Sequence, residues 1–296
     1  MKQIISTVFL TILILFKMDV QAQSFKTIET SQLTLQVYNA SENSFGVASV
    51  IVSGKTDAVL IDAQFTLADA EKVAEVIKKS GKKLTAIYVS HSDPDFYFGL
   101  EVFKKYFPEV TAYASPATVA AIMATAQKKL NVWGERLGNS ITSNVVLPQV
   151  IKGNSLDLEG QKLEIIGLEE FPSKTFIWIP SIKAVVGGIN VFGTSFHLWM
   201  ADAQTVEARK QWISVLDKIE SLQPAIVVPA HAKSETAFDL SAVKHTKSYI
   251  LFYEEALKTN KTSEALIAAL KSKYPTLTFE TALQIGAKVN TGEMKW

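Results

Sequence analysis

An α/β fold with a strand-rich body and a helical C-terminal tail is predicted from three features of the sequence. Runs of β-branched and aliphatic residues are separated by turn-formers in the first part of the chain. Strand-like and helix-like stretches then alternate to about residue 236, and beyond that only helical spacing remains.

Leu33 to Asn39, Gly46 to Val52 and Ala58 to Ile61 read as strands of a meander, with Ser53-Gly54-Lys55 as a turn. Thr66 to Ser80 carries Leu67, Val73, Val76 and Ile77 at helical spacing and stops at Gly81. Leu84 to Val89 is a strand. Leu100 to Phe107 forms a short helix ended by Pro108, Val110 to Ala114 a strand, and Pro116 to Lys129 a helix with Pro in its first turn. Asn131 to Asn144 is polar and contains two glycines, which predicts a loop or broken helix. Strands are expected at Asn144 to Leu147, Lys162 to Ile166, Thr175 to Ile179 and Ala184 to Val186. Thr205 to Ser221 is an amphipathic helix, and Ala225 to Val228 a strand ending at Pro229-Ala230-His231. In the tail, Phe238 to Leu257 is helical, Thr262 caps a helix to Lys273, and Thr278 is expected to cap a last helix through Val289.

Residues 1–22 read as a secretory signal: Lys2 is a basic start, Ile4 to Phe16 an apolar run, and Val20-Gln21-Ala22 a cleavage site. The run is too short for a comfortable membrane span. The expected location is therefore periplasmic or extracellular. The division is 1–22 signal, 23–236 catalytic-type body and 237–296 helical extension. Of 30 basic and 29 acidic residues, cleavage removes Lys2, Lys17 and Asp19 and leaves 28 of each. A balanced charge with no basic cluster gives no support to a nucleic-acid or anionic-membrane partner. The chain has no cysteine, which excludes disulfides, thiolate zinc sites and a cysteine nucleophile.

The chemistry-bearing stretch is Ser90-His91-Ser92-Asp93-Pro94-Asp95-Phe96-Tyr97-Phe98-Gly99, directly after a strand. In extended backbone alternate side chains share a face, so His91, Asp93 and Asp95 can converge on one divalent cation. The same loop also reads as a plain turn, with Asp95 capping a helix that starts near Tyr97. No Gly-x-Ser-x-Gly elbow, phosphate-binding Gly-x-x-x-x-Gly-Lys loop, Gly-x-Gly-x-x-Gly fingerprint or His-Glu-x-x-His helix is present. Serine hydrolase, P-loop, Rossmann and zincin readings lose their main support.

Over residues 30 to 235 the chain resembles the metallo-β-lactamase-fold hydrolases. Leu60-Ile61-Asp62 is similar to that family's early strand and aspartate, and residues 91–99 to its His-x-His-x-Asp-His-x-Gly-Gly signature. Val227-Val228-Pro229-Ala230-His231 is similar to the late strand with Pro-Gly-His. Gly167-Leu168-Glu169-Glu170 stands where the family has Gly-His-Thr, and Val185-Val186-Gly187-Gly188-Ile189 where it has Thr-Gly-Asp. The resemblance implies an αββα sandwich with one or two metal ions at one end of the sheets. It also implies hydrolysis of lactam, lactone, thioester or phosphodiester bonds.

Carried over by position, His91, Asp93, Asp95, Glu170 and His231 are the implied metal ligands, with Glu169 as a near alternative to Glu170. Asp95 is the implied catalytic group that orients the water, and Asp62 supports the site from behind. His197 either replaces a missing ligand, contacts substrate or is an ordinary buried histidine; His245 is expected to face solvent. Phe96 and Ile189 stand where the family has ligands and donate nothing. The implied cofactor is a single divalent ion, zinc first, with iron or manganese open and a second ion disfavoured. Two functions follow: an exported hydrolase acting on a small molecule through a carboxylate-rich metal site, or a catalytically silent scaffold that binds a ligand or partner. The tail either covers the sandwich or forms a homodimer contact, and periodicity does not separate the two.

Overall fold

The computed structural model describes residues 25–296, so the signal expected at 1–22 lies outside the described residues. Seven strands form one sheet in chain order: β1 (Phe25–Glu29), β2 (Thr34–Asn39), β3 (Ala48–Ser53), β4 (Asp57–Ile61), β5 (Lys83–Val89), β6 (Thr111–Ala114) and β7 (Gln149–Val150). Pairing is antiparallel from β1 to β4 and parallel from β4 to β7. A second sheet holds β8 (Ser155–Leu158), β9 (Gln161–Ile166), β10 (Phe176–Ile179), β11 (Ala184–Val186) and β12 (Ile226–Val227), with β11 and β12 parallel.

Strand alternation makes the layers. On β3 and β4, Val50, Val52, Val59 and Ile61 point between the sheets, where they meet Leu163, Ile165, Ile177, Ile179 and Val186. Ile51, Ala58 and Leu60 point the other way, onto α1 (Leu67–Ser80), α3 (Leu100–Tyr106) and α4 (Pro116–Leu137). Phe176, Trp178, Val185 and Val227 form the outer face of the second sheet. They pack on α5 (Val206–Ser221), α6 (Leu240–Thr259), α7 (Ser263–Lys273) and α8 (Glu280–Asn290). The order is α, β, β, α, and the C-terminal helices share one core with α5.

Several expectations need correction. The helix from Pro116 does not stop at Lys129 but continues to Leu137. Gly134 costs a helix only about 1 kcal/mol, and Leu130, Trp133 and Leu137 pack against the core from this last stretch. No strand forms over 144–147: Val145 and Val146 pack as loop residues, and Pro148 delays the short β7. Strands β1 and β8 were not foreseen. Turn residues Glu159 and Gly160, both at positive φ, join β8 to β9. The last helix is not capped by Thr278. Phe279 takes the N-cap position in left-handed conformation, and its N–H is held 2.8 Å from Glu42 Oε1. Thr278 instead bonds to the Ser195 carbonyl.

Candidate functional site

The C-terminal ends of β4, β5, β11 and β12 open on the same end of the sandwich, as ligand sites in α/β sheets commonly do. Asp62 ends β4 in left-handed conformation, with φ 62°. Its carboxylate accepts bonds from the Ser90 N–H at 2.7 Å and the Ser90 hydroxyl at 2.8 Å, and that hydroxyl in turn accepts the Gly188 N–H at 2.8 Å. Asp62 thus ties β4, β5 and the loop after β11 together from beneath. Burial, opposed by the two Ser90 bonds, pushes its carboxyl up to about 7.

Residues 91–97 turn from β5 into a one-turn helix, α2 (Pro94–Tyr97), with Asp93 at its start. The Asp93 N–H donates to His91 Nδ1 at 3.2 Å, and the Asp93 carboxylate lies 3.4 Å from the same nitrogen. Lys129 on α4 reaches in, with Nζ 2.9 Å from Asp93 Oδ1 and 2.8 Å from the Ser92 carbonyl oxygen. Burial would raise the Asp93 carboxyl, but His91 and Lys129 together hold it well below the usual carboxylate range. Asp95 is 5% exposed, with Oδ2 3.7 Å from His231 Nε2. Burial and the neighbouring Asp93 charge push its carboxyl well up. His231 is held by strand bridges to Val47 and Phe192, and its Nδ1–H donates to the Phe45 carbonyl at 3.0 Å. Burial lowers His231 to about 4, which keeps the ring neutral.

The loop therefore brings two acid–imidazole pairs to one end of the sandwich, and Phe96 packs against both imidazoles. Its ring is fully buried and meets both imidazoles edge-on, 5.4 Å from His91 and 5.8 Å from His231, centroid to centroid. Ile189 lines the cleft and brings no donor; its neighbour Asn190 turns its amide away to the Lys174 carbonyl at 2.9 Å. Glu170, like Glu169, is exposed on a turn and lines neither cleft at this end, so it is not brought to the other four. His197 is fully buried behind the second sheet and paired with Tyr249 at 3.0 Å; it is also absent from the cleft. His245, expected in solvent, is half-buried and donates from Nε2 to the Phe196 carbonyl at 3.1 Å.

The implied metal can be tested against these donors. Among the described residues, no three His, Asp or Glu side chains converge as metal ligands. The side chain that packs against both histidines is an apolar ring with no ligand atom, and an ammonium group already sits on Asp93. A catalytic ion needs about three protein ligands and an open position. The residues present do not fit one.

Two connected clefts open over this floor. The larger, about 410 Å³, is walled by aromatic rings that include Phe45, Trp133, Trp199 and Phe279, with Asp93, Asp95 and His231 at its base. The smaller, about 260 Å³, contains His91, Asp93, Lys174 and Asp202. Lys174 Nζ lies 4.9 Å over the Trp212 ring, and burial lowers its amine against the pull of Asp202 and Asp93. Sequence reasoning missed Lys129, Lys174, Asp202 and Trp296. Lys129 was within reach: Thr125, Lys129, Val132 and Arg136 recur at helical spacing on one face of α4, and all four line the larger cleft. Asp202 and Lys174 lie in aperiodic loops, which carry no such signal.

A family model described as the metallo-beta-lactamase superfamily matches residues 43–180. Among solved structures, a metallo-beta-lactamase from Pontibacter korlensis superposes with TM-score 0.53 at 18% identity, covering 77% of this chain and 99% of that one. DIM-1 metallo-beta-lactamase gives 0.52 at 19%, with 77% and 97% covered. A metallo beta lactamase from Hirschia baltica gives 0.53 at 12%, with 77% and 98% covered. At these identities the likeness is one of fold. No curated protein matches the chain.

Proposed function

Taking as premise that this chain has the metallo-β-lactamase fold, we propose that it is a small-molecule-binding protein whose cleft no longer assembles a hydrolytic metal centre. One observation carries this reading. The Phe96 ring, which offers no metal ligand, packs in edge contact with both His91 and His231. The cleft itself is retained. Its volume lies within the range of small-molecule sites, and its walls are aromatic with polar groups confined to floor and rim. Export, supported by the pattern of residues 1–22, would place the binding step outside the cytoplasm.

A second reading, metal-dependent hydrolysis of a lactam, lactone, thioester or phosphodiester, is favoured by the Asp95–His231 pair. That pair faces the cleft at 3.7 Å. In this reading His91, Asp93 and His231 would have to rearrange to hold zinc, iron or manganese, which would supply an activated water for Asp95 to orient. Elemental analysis of the purified protein decides between the two. The binding reading expects far less than one tightly held ion per chain after dialysis against added zinc, manganese or iron, and no turnover of those four substrate classes. Stoichiometric metal together with turnover would overturn it. Phe96→His combined with Ile189→Asp returns two donors, and zinc uptake should then rise above the wild-type level.

A further inference from the structure

The two ends of the larger cleft differ in character. Its depth is a chain of rings: Phe45 stands 5.3 Å from Trp133, 5.9 Å from Trp199 and 5.7 Å from Phe279, and Trp199 stands 5.6 Å from Trp296. Such walls take an apolar body by burial and by contact with ring faces. The acids at the base are each engaged. Lys129 holds Asp93, His231 faces Asp95, and the Trp296 Nε1–H donates to Asp202 at 2.6 Å.

The rim is cationic. Lys128 and Arg136 project from α4 about two turns apart, and Lys295 stands among the cleft-lining residues beside Trp296. Arg136 lies 5.2 Å over the Trp133 ring, so its guanidinium already covers one wall. None of these three cations pairs with a carboxylate among the described residues. The larger cleft is lined by four cations, Lys128, Lys129, Arg136 and Lys295, against three acids, Asp93, Asp95 and Asp202, so the unpaired charge at its mouth is positive.

We infer that the occupant is an anionic amphiphile of small-molecule size, its apolar body among the rings and its anionic group at the mouth that Lys128, Arg136 and Lys295 line. This rests on the reading of the cleft as a ligand site. An uncharged amphiphile would forgo the rim, and a cationic one would meet it with repulsion.

Three probes of equal chain length separate the outcomes: decanoate, decanol and decyltrimethylammonium, each below its micellar concentration. Binding is read by quenching of tryptophan fluorescence, since Trp133, Trp199 and Trp296 all line the cleft. Decanoate should bind roughly tenfold more tightly than either of the others at low salt, and the advantage should shrink as salt rises. The double variant Lys128→Glu and Lys295→Glu, both exposed in the parent, should lose that advantage while keeping its affinity for decanol. Equal binding of all three probes would overturn the charge assignment and leave the cleft as a ligand site. Tightest binding of the ammonium probe would reverse the assignment. A lack of quenching by any probe, with the variant's thermal transition unchanged, would remove the ligand site itself.

Discussion

Lys129 Nζ lies 2.9 Å from Asp93 Oδ1, joining the middle of α4 to the loop after β5. An ammonium group thus supplies positive charge at an aspartate that stands where the resembled signature has a metal-binding histidine. The contact also fixes α4 against the floor of the cleft, so charge neutralisation and cleft shape depend on the same pair.

Lys129→Met should destabilise the protein by about 1–3 kcal/mol at neutral pH, because it leaves a mostly buried carboxylate without its cation. Asp93 is held below its ordinary value in the folded state, so its contribution is present above that value and lost as pH falls through the depressed one. The gap between variant and wild type should therefore be full at pH 7 and narrow on acidification through the carboxylate range. Urea unfolding at several pH values measures it, and a gap that does not change with pH would remove Asp93 from the account.

Asp62 behaves oppositely. Its folded-state carboxyl is raised from 3.8 to about 7, so folding is favoured where the group is protonated in both states. Stability should fall as pH rises from about 4 toward 7 and level off above that, by at most about 4 kcal/mol. Asp62→Asn should flatten this part of the pH–stability curve. An unchanged slope in the variant would assign the dependence elsewhere, with Asp95 the first alternative.

Gly99 survives from the signature for a packing reason. A Cβ built there would come within 1.9 Å of the Ala63 carbonyl oxygen and 2.7 Å of the Ala70 side chain. Its N–H donates to the Gln64 carbonyl at 3.0 Å, so the backbone has no room to withdraw. Gly99→Ala should cost more than about 3 kcal/mol by overpacking, read as a large drop in the unfolding midpoint.

Glu170→Ala should change stability by less than about 0.5 kcal/mol and leave metal content and probe affinity at wild-type values. The side chain is exposed and lines neither cleft. A clear loss of either property would return Glu170 to the site.

Much of the architecture was legible because its signals are local. The pattern around Val50, Val52, Val59 and Ile61 has a period of two, and that alone assigns these residues to one face of a sheet. Thr262 caps its helix as its position in the sequence predicts, accepting the N–H three residues on. Gly134 misled for the complementary reason: a glycine inside a helix is a small local cost, and the packing of Trp133 and Leu137 outweighed it.

The residues of the site divide along the same line. By itself the sequence determined a strand-rich α/β body with a helical tail, the loop that carries His91, Asp93 and Asp95, and the arrival of His231 at the end of a late strand. These follow from backbone repeat and chain order, whereas the αββα layering was implied by the family resemblance. Only the tertiary structure decided that Phe96 packs against both histidines, that Lys129 reaches Asp93 from 36 residues away, and that Glu170 faces solvent. Side chains distant in sequence meet only through the packing of whole elements, and no repeat along the chain encodes those approaches.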